Sequence, residues 1–210
     1  MTQTLHLGYT GSPLDKADHM RRDAAAIQAA RMHPSARFLI LDDLKPLMAA
    51  DGTDLFWARR SEVPQGLTIF LGLNADGEPR FAVDGKPDDD LPARATDARA
   101  AGALLADPRA AIIAQARSVL DWHRRHGFCA NCGAPTEVQK AGYSRLCGSC
   151  GAEHFPWVDP VVIMLAEKDG LALVGRGPRF PAGFFSALAG FVEPGESLEE
   201  AVARELQEEA

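Results

Sequence analysis

Two sets of residues in this chain have the types and spacing to do chemistry. One is a pair of cysteine couples, Cys129-Ala-Asn-Cys132 and Cys147-Gly-Ser-Cys150, with 14 residues between them. The other is a run of seven glutamates within Gly190–Ala210, the last stretch of the chain. The cysteine couples sit in tight turns with glycine inside or just after them (Gly133, Gly148, Gly151). Such turns let two thiolates converge on one ion, and four soft ligands favour tetrahedral Zn2+. Disulfides or a redox pair are the other readings open to the same residues. Four thiolates fill a tetrahedral shell, so a zinc held there is structural and does not activate water. His123, His126 and His154 lie nearby and are read as surface or packing residues, because the shell needs no further ligand.

The glutamates raise a different question: a solvated helix face, or a face aimed at something. Ser197-Leu-Glu-Glu200 has the pattern of a capping box, which starts a helix near Leu198. Stepping about 100° per residue, Glu208 and Glu209 fall about 60° and 40° to either side of Glu205. Leu198, Ala201 and Val202 fall in the same sector, whereas Glu199 and Glu200 point away. Three carboxylates therefore continue the apolar stripe. Like charges at such spacing oppose each other's ionisation unless a cation joins them, and hard divalent ions such as Mg2+ or Mn2+ suit oxygen ligands. A solvated face remains the alternative on spacing alone.

Gly190, five residues, Glu196, seven residues, then Arg204-Glu-Leu-Gln-Glu-Glu209 resembles the Nudix hydrolase box, G-x5-E-x7-R-E-U-x-E-E-x-G-U, where U is a bulky aliphatic. Every specified position that is present matches; the closing Gly-U pair would fall just beyond Ala210. A zinc ribbon directly before such a box resembles the NADH pyrophosphatase branch of that family, which also removes NAD caps from RNA. "SPLDKADHMR", "WHRRHGFCANCGAP", "GAEHFPWVDPVVIML" and "PAGFFSALAGFVEPGES" are similar to the same branch.

The resemblance implies a mixed fold: an N-terminal α/β domain over 1–115, a helix and four-cysteine zinc ribbon over 116–156, and the first half of an α-β-α Nudix sandwich over 157–210. It implies hydrolysis of NAD(H) to AMP and nicotinamide mononucleotide, with NAD-capped RNA as a further substrate. The implied ligands of Mg2+ or Mn2+ are Glu205, Glu208, Glu209 and the carbonyl of Ala189. Glu208 or Glu205 takes the proton from water, Arg204 holds a box glutamate, and Glu196 orients. Phe155, Ile163 and Phe191 match positions that line the nucleotide pocket, although each also suits a core. Arg176 and Arg179 could reach phosphates or simply sit on an exposed loop. A homodimer is implied by the family alone. Because the box stops short and the last helix ends in acids at its negative pole, a fragment or truncated product is expected, and turnover by these 210 residues is expected to be poor or absent. Another nucleoside diphosphate derivative as substrate, or a catalytically impaired zinc-ribbon module that binds RNA, are the alternative functions.

The elements that must position these groups read as follows. "RFLIL" (37–41), "LTIFLGL" (67–73) and "RFAV" (80–83) are β-like, with a turn at Asn74–Gly77 and a loop over Asp84–Asp97. A helix should begin with Asp107 as cap and Pro108 in its first turn, and close at Gly127. "VVIMLA" and "LALV" are strands joined by an Asp169-Gly170 turn, "FFSALA" (184–189) is a third strand, and the glutamate helix follows. Composition sets limits on function. The net charge is −7, and residues 157–210 alone carry 10 acids against 4 bases. That argues against a main affinity for nucleic-acid backbones, DNA included, and suits a site that needs cations before an anionic substrate can approach. The ribbon segment is slightly basic, with 5 Lys/Arg against 3 Asp/Glu. No apolar run is long enough to span a membrane, no secretory signal is evident in the first residues, and a reducing, cytoplasmic setting is expected.

Overall fold

The computed structural model describes residues 8–105 and 107–210. The first seven residues of the domain expected over 1–115 lie outside these. The chain forms two compact units, one reaching to Pro156 and the other covering Trp157–Ala210.

The first unit is built on a six-stranded sheet. A short helix α1 (Asp18–Arg21) and α2 (Ala24–Met32) precede β1 (Arg37–Asp42). β2 (Lys45–Ala49) returns antiparallel to β1 through Asp43 and Leu44, both at positive φ, and β3 (Trp57–Ala58) pairs with the other end of β1. β4 (Leu67–Leu73) and β5 (Pro79–Asp84) form a hairpin over the Asn74–Gly77 turn, and β5 runs parallel to β1. β6 (Ala93–Ala95) pairs with β2, so the segment expected to be loop from Asp84 to Asp97 contains a short edge strand.

Both faces of this sheet are covered, which is why its strands read as unbroken apolar runs. Leu39, Leu41, Ile69, Leu71 and Ala82 face α3 (Ala98–Leu105) and α4 (Ala110–Arg125), against Ala101, Leu105, Ile112, Ile113, Ala116 and Leu120. Phe38, Ile40, Phe70, Phe81 and Val83 face the other way, with Ala30 and Ile27 of α2 packed against them. Burying each of the large side chains stabilises the fold by about 1.5–3 kcal/mol.

α4 begins later than the cap signal suggests. Asp107 accepts from the backbone N–H of Arg109 and grips its guanidinium, so Asp107 and Pro108 belong to a turn, and the helix starts at Ala110. It ends at His126, whose backbone N–H reaches Trp122 O, one residue before Gly127. α4 runs through residue 115, and its far end meets the ribbon strands β7 (Thr136–Gln139), β8 (Ser144–Cys147) and β9 (Glu153–His154). His123 on α4 bonds to Gly142 O at 2.8 Å and to Arg145 of β8 at 3.0 Å. Gly142 has φ +102 and lies against Ile69 of β4 so closely that a Cβ would overlap that side chain. The ribbon is thus locked onto the N-terminal sheet.

In the second unit, β10 (Val161–Met164) pairs antiparallel with β13 (Leu188–Phe191). β11 (Glu167–Lys168) and β12 (Leu171–Ala172) form the hairpin over Asp169 and Gly170, at φ 54° and 76°. The partner of β12 is therefore β11, and "VVIMLA" pairs elsewhere. The third strand begins at Leu188, four residues beyond the expected start at Phe184, and Ser186 makes only an isolated bridge to Gly175. The last helix, α5 (Leu198–Glu209), starts where the capping box places it: Ser197 and Glu200 exchange both bonds. Ala201 seats it on Val162 and Met164, with Leu188, Val192 and Val202 around them. Leu198, expected on the packed stripe, is 57% exposed.

Candidate active site and metal centre

The two cysteine turns are near copies of each other. Cys129 N–H donates to Ala134 O and Gly133 N–H to Cys129 O; Cys147 N–H donates to Ala152 O and Gly151 N–H to Cys147 O. Gly133 and Gly151 take φ of 77° and 73°, the left-handed conformation that lets each turn double back. The four Sγ atoms lie within 4.8 Å of one another, with Cys129–Cys150 at 3.6 Å and Cys132–Cys147 at 3.5 Å. A disulfide needs about 2.0 Å, whereas the edge of a zinc–sulfur tetrahedron with bonds of about 2.3 Å is about 3.8 Å. The spacing fits zinc.

Electrostatics point the same way. Cys132 accepts from the Ala134 N–H, which favours its thiolate, yet the thiols of Cys150 and Cys147 outweigh this and push it up to about 12. Cys150 is lowered to about 6, first by the Ala152 N–H and then by the Asn131 amide. Crowded thiols cannot all ionise without a cation among them. His154, set aside on sequence grounds, places Nε2 3.2 Å from Cys129 Sγ and orients that ligand from outside the shell. His123 is a buried packing residue whose pKa is lowered by burial.

In the second unit the box residues are organised by Arg204. Its Nε and one terminal nitrogen grip both oxygens of Glu196 at 3.1 and 2.6 Å. The same terminal nitrogen donates to Phe191 O at 2.9 Å, and the other reaches Glu205 at 2.8 Å and Glu208 at 3.4 Å. One guanidinium thus ties the loop before α5, the helix and β13 together. Glu196 also accepts from the Glu193 N–H; Arg204 first, and that N–H second, hold its carboxyl below the usual carboxylate range. The carboxylates of Glu196 and Glu205 raise the pKa of Arg204 in turn.

Glu205 lies over Gly190, where any Cβ would overlap its carboxylate. Glu208 and Glu209 are exposed on the last turn of α5. Among the described residues only the four cysteines converge as a ready ligand cluster; the box carboxylates are spread along one side of α5, with Arg204 between Glu205 and Glu208. The β13 backbone adds an oxygen. Val192 N–H donates to Pro160 O, so in this antiparallel ladder Gly190 and Leu188 form the hydrogen-bonded pairs with β10. Ala189 and Phe191 therefore turn their carbonyls away from β10, and that of Phe191 meets Arg204. Three carboxylates, one of them fixed by a glycine, and an outward backbone carbonyl are the hard oxygen donors that suit Mg2+ or Mn2+.

Ile163 and Phe191 share the exposed face of the β10–β13 pair, 68% and 64% accessible, opposite the face on which α5 packs. Neither is buried among the described residues. Phe155 belongs to the first unit, where the Lys140 ammonium lies 4.8 Å from its ring centre. Arg176 donates to Phe180 O within its own loop, and Arg179 is exposed. The Arg204–Phe191 bond and the His154–Cys129 contact were not read from the sequence, since each joins residues distant along the chain.

Residues 35–122 match the family model described as an NADH pyrophosphatase-like rudimentary NUDIX domain, 124–155 the NADH pyrophosphatase zinc ribbon domain, and 157–210 the NUDIX domain. The chain is 38% identical over 203 residues to a protein named NAD-capped RNA hydrolase NudC from Mycobacterium tuberculosis (strain ATCC 25618 / H37Rv), covering 93% of this chain and 64% of that protein. It is 35% identical over 251 residues to the NAD-capped RNA hydrolase NUDT12 of Homo sapiens, covering 94% of this chain and 54% of that protein. The chain thus spans between half and two thirds of the length of these relatives. Box, ribbon and N-terminal sheet thus match, along one chain, the NUDIX, zinc ribbon and rudimentary NUDIX domains of NADH pyrophosphatase-type Nudix hydrolases.

Proposed function

We propose that the protein bearing this chain hydrolyses the pyrophosphate of NAD(H) to nicotinamide mononucleotide and AMP, or, where NAD caps an RNA, to free nicotinamide mononucleotide and an RNA with a 5′-monophosphate end. The observation that carries the reading is the Arg204 fork, which holds Glu196, Glu205 and Phe191 O in one arrangement. It is supported by the match of the neighbouring ribbon to that of NADH pyrophosphatases and by the printed names of the relatives.

In this reading Glu205 and Glu209 would hold Mg2+ or Mn2+, with Glu208 and the Ala189 carbonyl assisting. When bound, the ion neutralises pyrophosphate charge and lowers the pKa of water. The chain's own residues do the rest. Arg204 keeps Glu205 aimed, Glu196 fixes Arg204, and Glu208 or Glu205 accepts the proton from the attacking water. The exposed Phe191 ring offers a stacking surface for a nucleotide ring, with Ile163 beside it. The family likeness adds Phe155 to the substrate residues. The zinc held by four cysteines stays structural. The protein works as a homodimer in the cytoplasm, where thiols remain reduced for zinc; no helix among the described residues is long and apolar enough to cross a membrane.

The test is substrate preference. A higher kcat/KM on NADH than on a dinucleoside polyphosphate is expected with Mn2+; the reverse order would assign the site to another nucleoside diphosphate derivative.

A further inference from the structure

The first unit contains a pocket that the proposed hydrolysis does not use. It has a volume of about 520 Å³ and lies between α2, the sheet and the tip of the β7–β8 hairpin. Four cationic side chains line it, Arg21, Arg22, Arg31 and Lys140, against one acid, Glu153. Glu153 is already paired with Lys140 at 2.6 Å. In a chain of net charge −7, such a concentration of positive charge in one concavity marks it for an anion.

Two of the cations, Arg22 and Arg31, are not spent on structure. Arg22 is exposed and, among the described residues, acts on Glu153 only through space. Arg31 makes a single exposed bond to Thr68 Oγ1 at 3.3 Å. Arg21 is held in place: it stacks on Tyr143, donates to Lys16 O at 3.0 Å and lies 3.7 Å from Asp18, with its side chain only 10% exposed, so it adds charge to the wall.

The remaining walls are apolar. Ile27 of α2, Val138 of β7 and Leu146 of β8 line the cavity, with the rings of Phe70 and Phe81 beneath. Lys140 and Ala141, at φ 49° and 53°, hold the hairpin tip in a left-handed bend at the rim. An apolar body with a few convergent cations is the usual make-up of a small-ligand site, and this volume suits one nucleotide.

We propose that this pocket binds a nucleoside monophosphate, with its phosphate on the arginines and its base against Ile27, Val138 and Leu146. None of the residues it uses is among those assigned to hydrolysis, although the pocket's Lys140 also lies against Phe155.

The test is calorimetric titration of the zinc-loaded protein with AMP, inorganic phosphate, adenosine and a short single-stranded RNA, in the absence of Mg2+ and Mn2+. AMP should bind at one site, more tightly than either phosphate or adenosine. Arg22→Ala with Arg31→Ala should weaken it by about tenfold or more while leaving Tm unchanged, because both side chains are exposed. Glu205→Gln should leave AMP binding as it was. The proposal is overturned if AMP binds no better than phosphate, if the arginine variants bind it normally, if Glu205→Gln removes binding, or if only the RNA binds.

Discussion

The carboxylate of Glu205 rests on the Cα of Gly190: a methyl group at Gly190 would overlap the carboxyl carbon and both of its oxygens. The first glycine of the box is therefore the space that its second glutamate occupies. Arg204 closes the arrangement from the other side, with 2.8 Å to Glu205 and 2.9 Å to Phe191 O.

Gly190→Ala should accordingly displace Glu205. Overpacking of this kind costs about 1–3 kcal/mol, and Mn2+ affinity should fall together with the thermal stability of the second unit. Gly177→Ala is the control, since its new methyl meets only ordinary contacts 3.9 Å away on Phe180. Electron paramagnetic titration of Mn2+ and a melting curve check both outcomes.

Arg204→Lys keeps a positive charge but loses the fork that spans Glu196, Glu205 and the Phe191 carbonyl. A partner that orients ligands in this way is worth about 10–100-fold in metal affinity or activity. The lysine variant should show that loss in Mn2+ binding while the first unit melts normally. Equal affinity in the two proteins would mean that the fork is incidental.

Removing zinc should act locally at first. A chelator should release one equivalent of zinc and expose the amides of the ribbon, Thr136–His154, and of the last turn of α4, which His123 and Arg145 join to it. The amides of β1, β4 and β5 have their own core and should stay protected. Hydrogen exchange with and without chelator measures this. His154→Ala should speed zinc loss without changing the stoichiometry, because its Nε2 meets Cys129 Sγ from outside the tetrahedron.

Acid should weaken the same junction through His123. Burial lowers its pKa, and its Nε2–H donates to Gly142 O while Nδ1 accepts from Arg145. In the unfolded chain it titrates at about 6.5. Below that value the unfolded state binds more protons than the folded one, so stability falls as pH drops from there towards the folded pKa. His123→Gln can keep both bonds without titrating. Its Tm should depend less on pH than that of the parent between about pH 7.5 and 5.5.

The sequence was informative where one physical rule dominated. Strands buried on both faces, such as Arg37–Asp42 and Leu67–Leu73, appear as plain apolar runs. The box and the cysteine couples are legible because ligand chemistry dictates their spacing. α2 is not legible because its alanines (Ala24–Met32) leave little apolar contrast between its faces, and α3 (Ala98–Leu105) because it is only two turns long and carries a glycine. The strand expected at Phe184 was misplaced because two exposed phenylalanines look β-like, whereas the true strand carries Gly190, kept small for Glu205. Leu198 lies on the same stripe yet is 57% exposed, and the buried contact of α5 is made one turn later by Ala201. The Arg204 fork joins residues 13 apart in sequence at Phe191, a relation that no periodicity reveals.

The most direct measurement is a single-turnover assay of NADH cleavage with the zinc-loaded protein in excess, following AMP and nicotinamide mononucleotide by chromatography with and without Mn2+. The account predicts slow formation of both products that requires Mn2+ and falls by about 100-fold or more in Glu209→Gln, a loss of metal ligation. Product formation that is indifferent to Mn2+ or undiminished in Glu209→Gln would contradict it, as would cleavage of a dinucleoside polyphosphate with none of NADH.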